Sequence, residues 1–198
     1  MKSIRKQIIS ITMLCTMVIT SAQAYSLESY RLMDDLTYIP YEGFSSSSIR
    51  QFNDALYTWN KELPNGPKMK RSTETHNSTP EFIEKDGKNY IYRLPEFDSN
   101  SPYVARNRVS KKFMGFGKHS RVEESDINFD VNYKFANSGK PGYYDVQSVF
   151  LHEAGHTLGL DHSSSSDAVM YEKATLGGEK RILTMDDKRG LEKAYNKK

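Results

Sequence analysis

Three of the five histidines in this 198-residue chain fall within eleven consecutive residues, 152–162. His152 and His156 are four positions apart, so an α-helix places both imidazoles on one face, where they can bind one zinc ion. Gly159 allows the chain to leave that helix, because glycine accepts backbone conformations closed to other residues, and His162 can then return to the same metal. Three protein ligands leave the fourth position for water, as in catalytic rather than structural zinc sites.

Glu153 directly follows the first of these histidines and is expected on the flank of the helix. There its carboxylate can reach a zinc-bound water without binding the metal. Zinc lowers the pKa of such a water toward ~7, so Glu153 can take its proton during attack on a carbonyl and pass it to the leaving amine. The pattern predicts hydrolysis of peptide bonds with Glu153 as the general base. The alternative is a zinc-bearing binding module, although such a module needs no general base.

The N-terminal segment has the features of a secretory signal peptide. A mostly apolar run, 8–20, follows three basic residues, and Ala24 ends a small-x-small cleavage site. We therefore expect removal of residues 1–24 and secretion of a single domain, 25–198, to the extracellular space or the periplasm. The three basic residues are Lys2, Arg5 and Lys6. The alternative to a cleaved signal peptide is an uncleaved N-terminal anchor.

Loss of that segment changes two properties of the chain. The only cysteine, Cys15, lies within it, so any metal in the mature domain must bind histidine, carboxylate or carbonyl groups. The precursor's formal net charge of +3 also lies within residues 1–24, which leaves the mature domain neutral. We therefore expect a monomer with a protein or peptide substrate, no nucleic-acid partner, and no membrane contact after signal removal.

One stretch of the neutral domain, 106–121, is strongly basic. It contains Lys and Arg residues but no acidic residue, with Phe113 and Phe116 between them. Such a stretch can bind a polyanion, which is a third class of function for this chain. Charge runs more commonly form a solvated surface, and we interpret 106–121 in that way.

The rest of the mature chain shows patterns of both strands and helices. An Asp86-Gly87 pair between two apolar and aromatic segments predicts a β-hairpin. Serine, aspartate, proline and glycine residues mark the ends of the helices. The predicted elements are strands at 36–41, 82–83, 90–92 and 126–135, and helices that begin near Ile49, after Asp145 and near Asp186.

The motif from His152 to His162 resembles the extended zinc motif of the metzincins, H-E-x-x-H-x-x-G-x-x-H followed by a methionine turn. Within that clan the chain is similar to the matrixins, the family of the matrix metalloproteinases. Ser163 follows the third histidine as in matrixins, and Met170 stands eight residues after it in Asp167-Ala168-Val169-Met170-Tyr171. Leu183-Thr184-Met185-Asp186-Asp187-Lys188-Arg189-Gly190 resembles the start of the matrixin C-terminal helix.

This resemblance implies an α+β, metzincin-type zincin catalytic domain, with a twisted mixed sheet, an antiparallel edge strand and three helices. It implies one catalytic Zn²⁺ held by His152, His156 and His162, with Met170 beneath the metal. Asp126–Phe129 would be the edge strand that pairs with bound peptide. No structural zinc or calcium is assigned, because the glycine-rich segment that binds them in matrixins is not recognisable between 95 and 140.

Overall fold

The computed structural model describes residues 23–79, 85–95 and 102–195. The helices in these ranges are α1 (Ser46–Glu62), α2 (Val146–Thr157) and α3 (Met185–Tyr195). The strands are β1 (Ser26–Leu27), β2 (Tyr30–Arg31), β3 (Leu36–Pro40), β4 (Met69–Arg71), β5 (Asn89–Leu94), β6 (Ala105–Lys112), β7 (Ser120–Asp130), β8 (Phe135–Ala136), β9 (Tyr144–Asp145) and β10 (Leu160–Asp161).

Six of the strands form one mixed sheet. Its order is β2-β7-β5-β3-β4, and all of these neighbours are parallel. Strand β6 pairs antiparallel with the remaining edge of β7. The fold is therefore the predicted α+β arrangement of a mixed sheet with an antiparallel edge strand and three helices.

The identity of the edge strand differs from the prediction. Asp126–Phe129 lies inside β7, which is paired by β6 on one side and by β5 and β2 on the other. Both faces of this segment are buried, since Asp126 and Asn128 are as inaccessible as Ile127 and Phe129. The antiparallel edge strand is β6, so the assignment of Asp126–Phe129 as the peptide-binding edge was wrong.

The predicted hairpin around Asp86-Gly87 is not found in the described residues. Strand β5 contains Tyr90–Tyr92, and its two edges are occupied by the parallel strands β3 and β7. Phe82 and Ile83 lie outside the described ranges. A turn-forming pair marks a change of direction, but the two segments that flank it here need not pair with one another.

Helices α1 and α2 pack on one face of the sheet. Ser45 caps α1 by accepting a hydrogen bond from the Ser48 amide at 3.1 Å, and the helix ends at Glu62, just before Pro64. The Trp59 indole N–H donates to the Leu151 carbonyl at 2.8 Å, which joins the two helices. The residues of this core are fully buried, and they include Tyr38, Phe52, Trp59, Ile127, Phe129, Phe150 and Leu151.

The predicted starts of the helices are confirmed within a few residues, as are the strands at 36–41 and 90–92. The segment predicted as a strand at 126–135 divides between the end of β7 and the short β8. No helix in the described ranges has the length and apolar character required to cross a bilayer.

Candidate active site

The three histidines of the motif converge on one point. His152 and His156 lie one turn apart on α2, and their Nε2 atoms are 3.2 Å apart. His162 follows β10, and its ring centroid is 5.3 Å from that of His152 and 5.0 Å from that of His156. One potential ligand atom from each of the three residues lies within 4.8 Å of the others.

Two backbone carbonyls set the proton positions on the helical histidines. The Nδ1–H of His152 donates to the Val169 carbonyl, and that of His156 donates to the Leu160 carbonyl, both at 2.8 Å. A carbonyl oxygen only accepts, so Nδ1 carries the proton and the Nε2 lone pair is left for a metal. Burial also lowers the pKa of His152 to about 3 and that of His156 to about 4, which keeps both imidazoles neutral.

These features fit zinc. Zn–N bonds of about 2.0–2.1 Å in a tetrahedral site place neighbouring ligand nitrogens ~3.3 Å apart. The 3.2 Å separation between His152 and His156 matches that edge. Neutral imidazoles are good zinc ligands, and no other group of three histidine, cysteine or acidic side chains in the described ranges is arranged to hold a metal.

Gly159 makes the turn that returns the chain to the metal. Helix α2 ends at Thr157, and Gly159 has a φ of +88°, a left-handed conformation that glycine adopts readily. A Cβ at this position would lie 2.3 Å from the Tyr30 carbonyl oxygen. Both the backbone conformation and the close approach of β2 therefore require glycine at the point where the sequence predicted a break.

Glu153 is buried at the side of the histidine cluster. Only 7% of the residue is exposed, and it lines the same cleft as His152, His156 and His162. The cleft has a volume of ≈ 960 Å³, which is large enough to admit part of a polypeptide. Glu153 therefore lines the cleft together with the three imidazoles that could hold a metal.

The turn around Met170 packs against the helix that carries two of the three histidines. The Met170 sulfur packs against Gly155 of α2 so closely that a Cβ there would lie 2.3 Å from it. Asp187 of α3 is buried, and its carboxylate accepts hydrogen bonds from the Val169 and Met170 amides, both at 3.0 Å. Because the Val169 carbonyl in turn binds His152, Asp187 fixes the orientation of a potential zinc ligand through the backbone.

A second buried network joins the edge strand to α2, and sequence reasoning did not find it. The Asn107 amide on β6 donates to the Glu153 carbonyl and to the Thr157 hydroxyl, both at 2.7 Å. The hydroxyl of Thr157 also bonds those of Tyr38 and Ser125. This network holds the helix that carries two of the histidines at a fixed position beside β6.

The walls of the cleft come from β6 and from the segment after Met170. Ala105, Arg106 and Asn107 line one side. Glu172, Lys173 and Ala174 line the other side. No described strand pairs with the outer edge of β6, so the cleft has an open strand along its rim.

Comparison with known proteins places the chain in a family. The family model of the matrixins, peptidase family M10, matches residues 45–196. A putative matrix metalloproteinase of Trichoplusia ni ascovirus 2c is 27% identical over 224 aligned positions, which cover 96% of this chain and 42% of that protein.

Two further relatives match shorter segments. Metalloendoproteinase 2-MMP of Arabidopsis thaliana is 47% identical over 51 residues, 26% of this chain and 14% of that protein. Human matrilysin is 34% identical over 74 residues, 37% of this chain and 27% of that protein. The alignments thus span less than half the length of these relatives. The match to the family model covers most of this chain, and the chain belongs to the matrixin family.

Proposed function

We propose that this protein is a secreted zinc-dependent endopeptidase in which Glu153 acts as the general base. The observation that carries the proposal is the convergence of His152, His156 and His162 beside Glu153 in an open cleft. The relatives named metalloendoproteinases support the same reaction class. A zinc-bearing binding module remains the second candidate, and it needs neither Glu153 nor an open strand edge.

The three imidazoles would hold the zinc, which when bound supplies a Lewis acid that polarises a carbonyl group and acidifies water. The residues of the chain then divide the remaining work. Glu153 takes the proton of the attacking water and transfers it to the nitrogen of the leaving amine. The hydrogen bonds to the Val169 and Leu160 carbonyls hold the imidazoles of His152 and His156 in position during this transfer.

The outer edge of β6 provides a means of binding the substrate. An extended peptide can add to an exposed strand edge through main-chain hydrogen bonds, while its side chains enter neighbouring pockets. Ala105, Arg106 and Asn107 are the part of β6 that lines the cleft, so a peptide added there would pass directly over the histidines. Proteins and peptides in extended conformation are therefore the proposed substrate class.

Secretion forms a separate part of the proposal. It rests on the apolar segment and on the cleavage site that ends at Ala24. Expression of the full sequence should yield a released protein whose N-terminal residue is Tyr25, as determined by N-terminal sequencing. A membrane-bound, uncleaved product would leave the peptidase proposal intact but would exclude secretion in this form.

The catalytic proposal is tested by the Glu153→Gln variant. Glutamine keeps the size of the side chain but cannot accept the proton, so we expect kcat to fall by about 10²–10⁴-fold with KM little changed. Zinc content and melting temperature should stay at the parental values, because the three histidines are untouched.

The matched control is Glu172→Gln, which removes another carboxylate from the same cleft. We expect its kcat to stay within a few-fold of the parental value. Hydrolysis by Glu153→Gln at the parental rate would exclude Glu153 as the base. Parental protein that binds zinc but cleaves no member of a peptide library would support the binding module instead.

A further inference from the structure

The connection between β6 and β7 presents an exposed apolar surface far from the cleft. We call residues 113–119 the hairpin tip. Phe116 is 99% exposed, Phe113 is 65% exposed and Met114 is 38% exposed. The two phenylalanine rings meet edge to face, with their centroids 5.7 Å apart. Scattered exposed apolar residues are ordinary, but three within four positions on one projecting turn form a patch.

The fold of the domain does not account for this patch. Gly115 and Gly117 have φ values of +106° and +74°, and a Cβ at either position would meet no atom within 4 Å. The turn therefore projects into solvent and has no packing partner at these points. Polar residues would satisfy such a turn equally well, so the phenylalanines are not required by the core.

Positively charged side chains flank the patch in sequence. Lys112 and Lys118 are exposed, and no acidic residue occurs from 105 to 122. Part of the local charge is already engaged, because the Lys111 ammonium lies 5.2 Å from the centroid of the Tyr30 ring and Arg121 pairs with Asp34 at 2.8 Å. The remaining excess is still positive, although the mature domain as a whole is neutral.

We propose that the hairpin tip docks the protein on an anionic membrane surface. Phe113 and Phe116 enter the boundary between headgroups and acyl chains, and Lys112 and Lys118 lie against the lipid phosphates. Aromatic and apolar residues flanked by lysines are the composition that binds this interface. A soluble polyanion would attract the lysines, but it provides no apolar phase for a fully exposed phenylalanine.

Docking at the tip leaves the cleft accessible. Asn107 lines the cleft, and Phe113 begins the tip six residues later along β6, which corresponds to about 20 Å of extended strand. The protein is thus held at the surface by one end of β6 while the other end remains open to substrate. The proposed contact departs from the sequence-based expectation of no membrane contact after signal removal, and it does not depend on the peptidase activity.

Vesicle binding tests the proposal. Mature protein would be sedimented with vesicles of phosphatidylcholine alone and with vesicles of equal parts phosphatidylcholine and phosphatidylglycerol. We expect binding to the anionic vesicles that weakens as salt is raised. Phe116→Ser should weaken it about tenfold, because the ring no longer leaves water. Lys112→Gln and Lys118→Gln should each weaken it about fivefold.

Ile182→Ser is the matched control, since Ile182 is 83% exposed but lies outside the hairpin tip. It should bind vesicles as the parent does. All of these positions lie outside the cleft, so hydrolysis of a soluble peptide and the melting temperature should not change. This readout separates a failure to dock from a failure to fold.

Insertion of the hairpin tip into the membrane is followed by tryptophan fluorescence in the Phe116→Trp variant. The single natural tryptophan, Trp59, is fully buried, so a blue shift of emission on addition of anionic vesicles would report the new side chain. Ile182→Trp should show no shift. The proposal is overturned if Phe116→Ser binds vesicles as tightly as the parent. It is also overturned if the parent is retained on heparin but binds no vesicles, or forms a dimer through the tip without binding vesicles.

Discussion

At the scale of single residues, Asp187 shows how an acidic side chain on α3 can position a backbone carbonyl of the candidate metal site. Its buried carboxylate accepts hydrogen bonds from the Val169 and Met170 amides and from the amide and hydroxyl of Thr184. Buried acceptors of this kind are costly to lose, because each donor left unsatisfied keeps its desolvation penalty. The position of the Val169 carbonyl, and so of the His152 ring, depends on this residue.

We therefore predict that Asp187→Asn lowers the free energy of unfolding by about 2–4 kcal/mol. The side-chain NH₂ group of asparagine cannot accept a hydrogen bond, so at least one of the backbone amides that donate to Asp187 loses its acceptor. Zinc affinity should fall about tenfold or more, because the support of His152 is disturbed. Urea unfolding and competition with a chelator measure the two effects.

Asp167→Asn is the control for this change, since it alters an exposed carboxylate in the same turn. It should leave both the stability and the zinc affinity close to the parental values. If Asp187→Asn has the stability and the zinc affinity of the parent, the Met170 turn holds its shape without the buried carboxylate.

The residues of the site differ in how well the sequence reveals them. His152, Glu153 and His156 could be found because a helix converts sequence spacing into a shared face. Asn107 and Asp187 could not, because they act across 46 and 17 positions of sequence through backbone atoms of the site. Backbone carbonyls, such as that of Val169, have no sequence signature.

At the scale of elements, the end of α2 depends on a glycine with two separate roles. We predict that Gly159→Ala destabilises the protein more than Gly142→Ala. Both glycines have left-handed backbones, with φ values of +88° and +79°, so both substitutions carry a strain of about 1–2 kcal/mol. Only at Gly159 would the new Cβ also meet a backbone oxygen, that of Tyr30.

Chemical denaturation of the two variants separates strain from steric overlap. We expect the loss for Gly159→Ala to be at least about twice that for Gly142→Ala, with reduced zinc content because the path to His162 is displaced. Equal losses would mean that β2 moves away from the turn without cost.

Asp126 on β7 is a buried carboxyl whose ionisation should make the stability of the sheet depend on pH. Burial is the main cause that raises the pKa of Asp126 on β7 to about 8, and the charges of Glu124 and Asp86 contribute further. The Tyr90 amide, which donates to Asp126 at 2.7 Å, opposes this rise. Arg108 on the neighbouring strand β6 lies directly opposite Asp126 in the antiparallel pairing.

The direction of the pH effect follows from the raised pKa. From the ordinary value of 3.8 up to about 8, the folded protein keeps a proton that the unfolded chain has released. The free energy of unfolding should therefore fall as pH rises through this window. The Asp126→Asn variant keeps a side-chain oxygen that can accept the hydrogen bond from the Tyr90 amide, but it cannot ionise. Its free energy of unfolding should therefore fall less with rising pH than that of the parent.

Urea unfolding at a series of pH values tests this prediction. Glu123→Gln is the control, because this carboxyl lies on the same strand but its pKa is lowered by Lys85, so it is already ionised across most of the window. An unchanged slope in Asp126→Asn would place the titration in another group.

The sheet also marks the limit of prediction from sequence for this fold. The apolar alternation in the segment 126–135 predicted a strand with one buried face. The structure confirms a strand up to Asp130, but it buries both faces there, and Val131 lies beyond the strand and is 42% exposed. The same pattern could not show that β7 is paired on both edges, because alternation reports which face is buried and not which neighbours supply hydrogen bonds. Strand order depends on contacts distant in sequence, which is why β6 was not recognised as the edge.

At the scale of the whole molecule, the proposed metal would add a further link between parts of the chain that hydrogen bonds and packing already join. Two of the proposed ligands lie on α2, and the third lies in the segment that follows β10. That segment is fixed in turn by the Met170 turn and by α3, since Ser163 donates to Asp186 at 2.7 Å. An ion bound by the native arrangement alone would stabilise all of these elements together.

We therefore predict that removal of zinc destabilises the domain as well as abolishing peptide hydrolysis. A ligand that binds only the folded state contributes about 4 kcal/mol when its free concentration is a thousand times its Kd. The melting temperature should fall by several degrees in chelator and return when zinc is added. His156→Ala should melt at the same temperature under both conditions, whereas His119→Ala, which alters an exposed histidine remote from the site, should keep the full zinc-dependent shift. Identical melting of the parent in chelator and in excess zinc would contradict this coupling, because an ion held by these three histidines cannot bind without favouring the fold that brings them together.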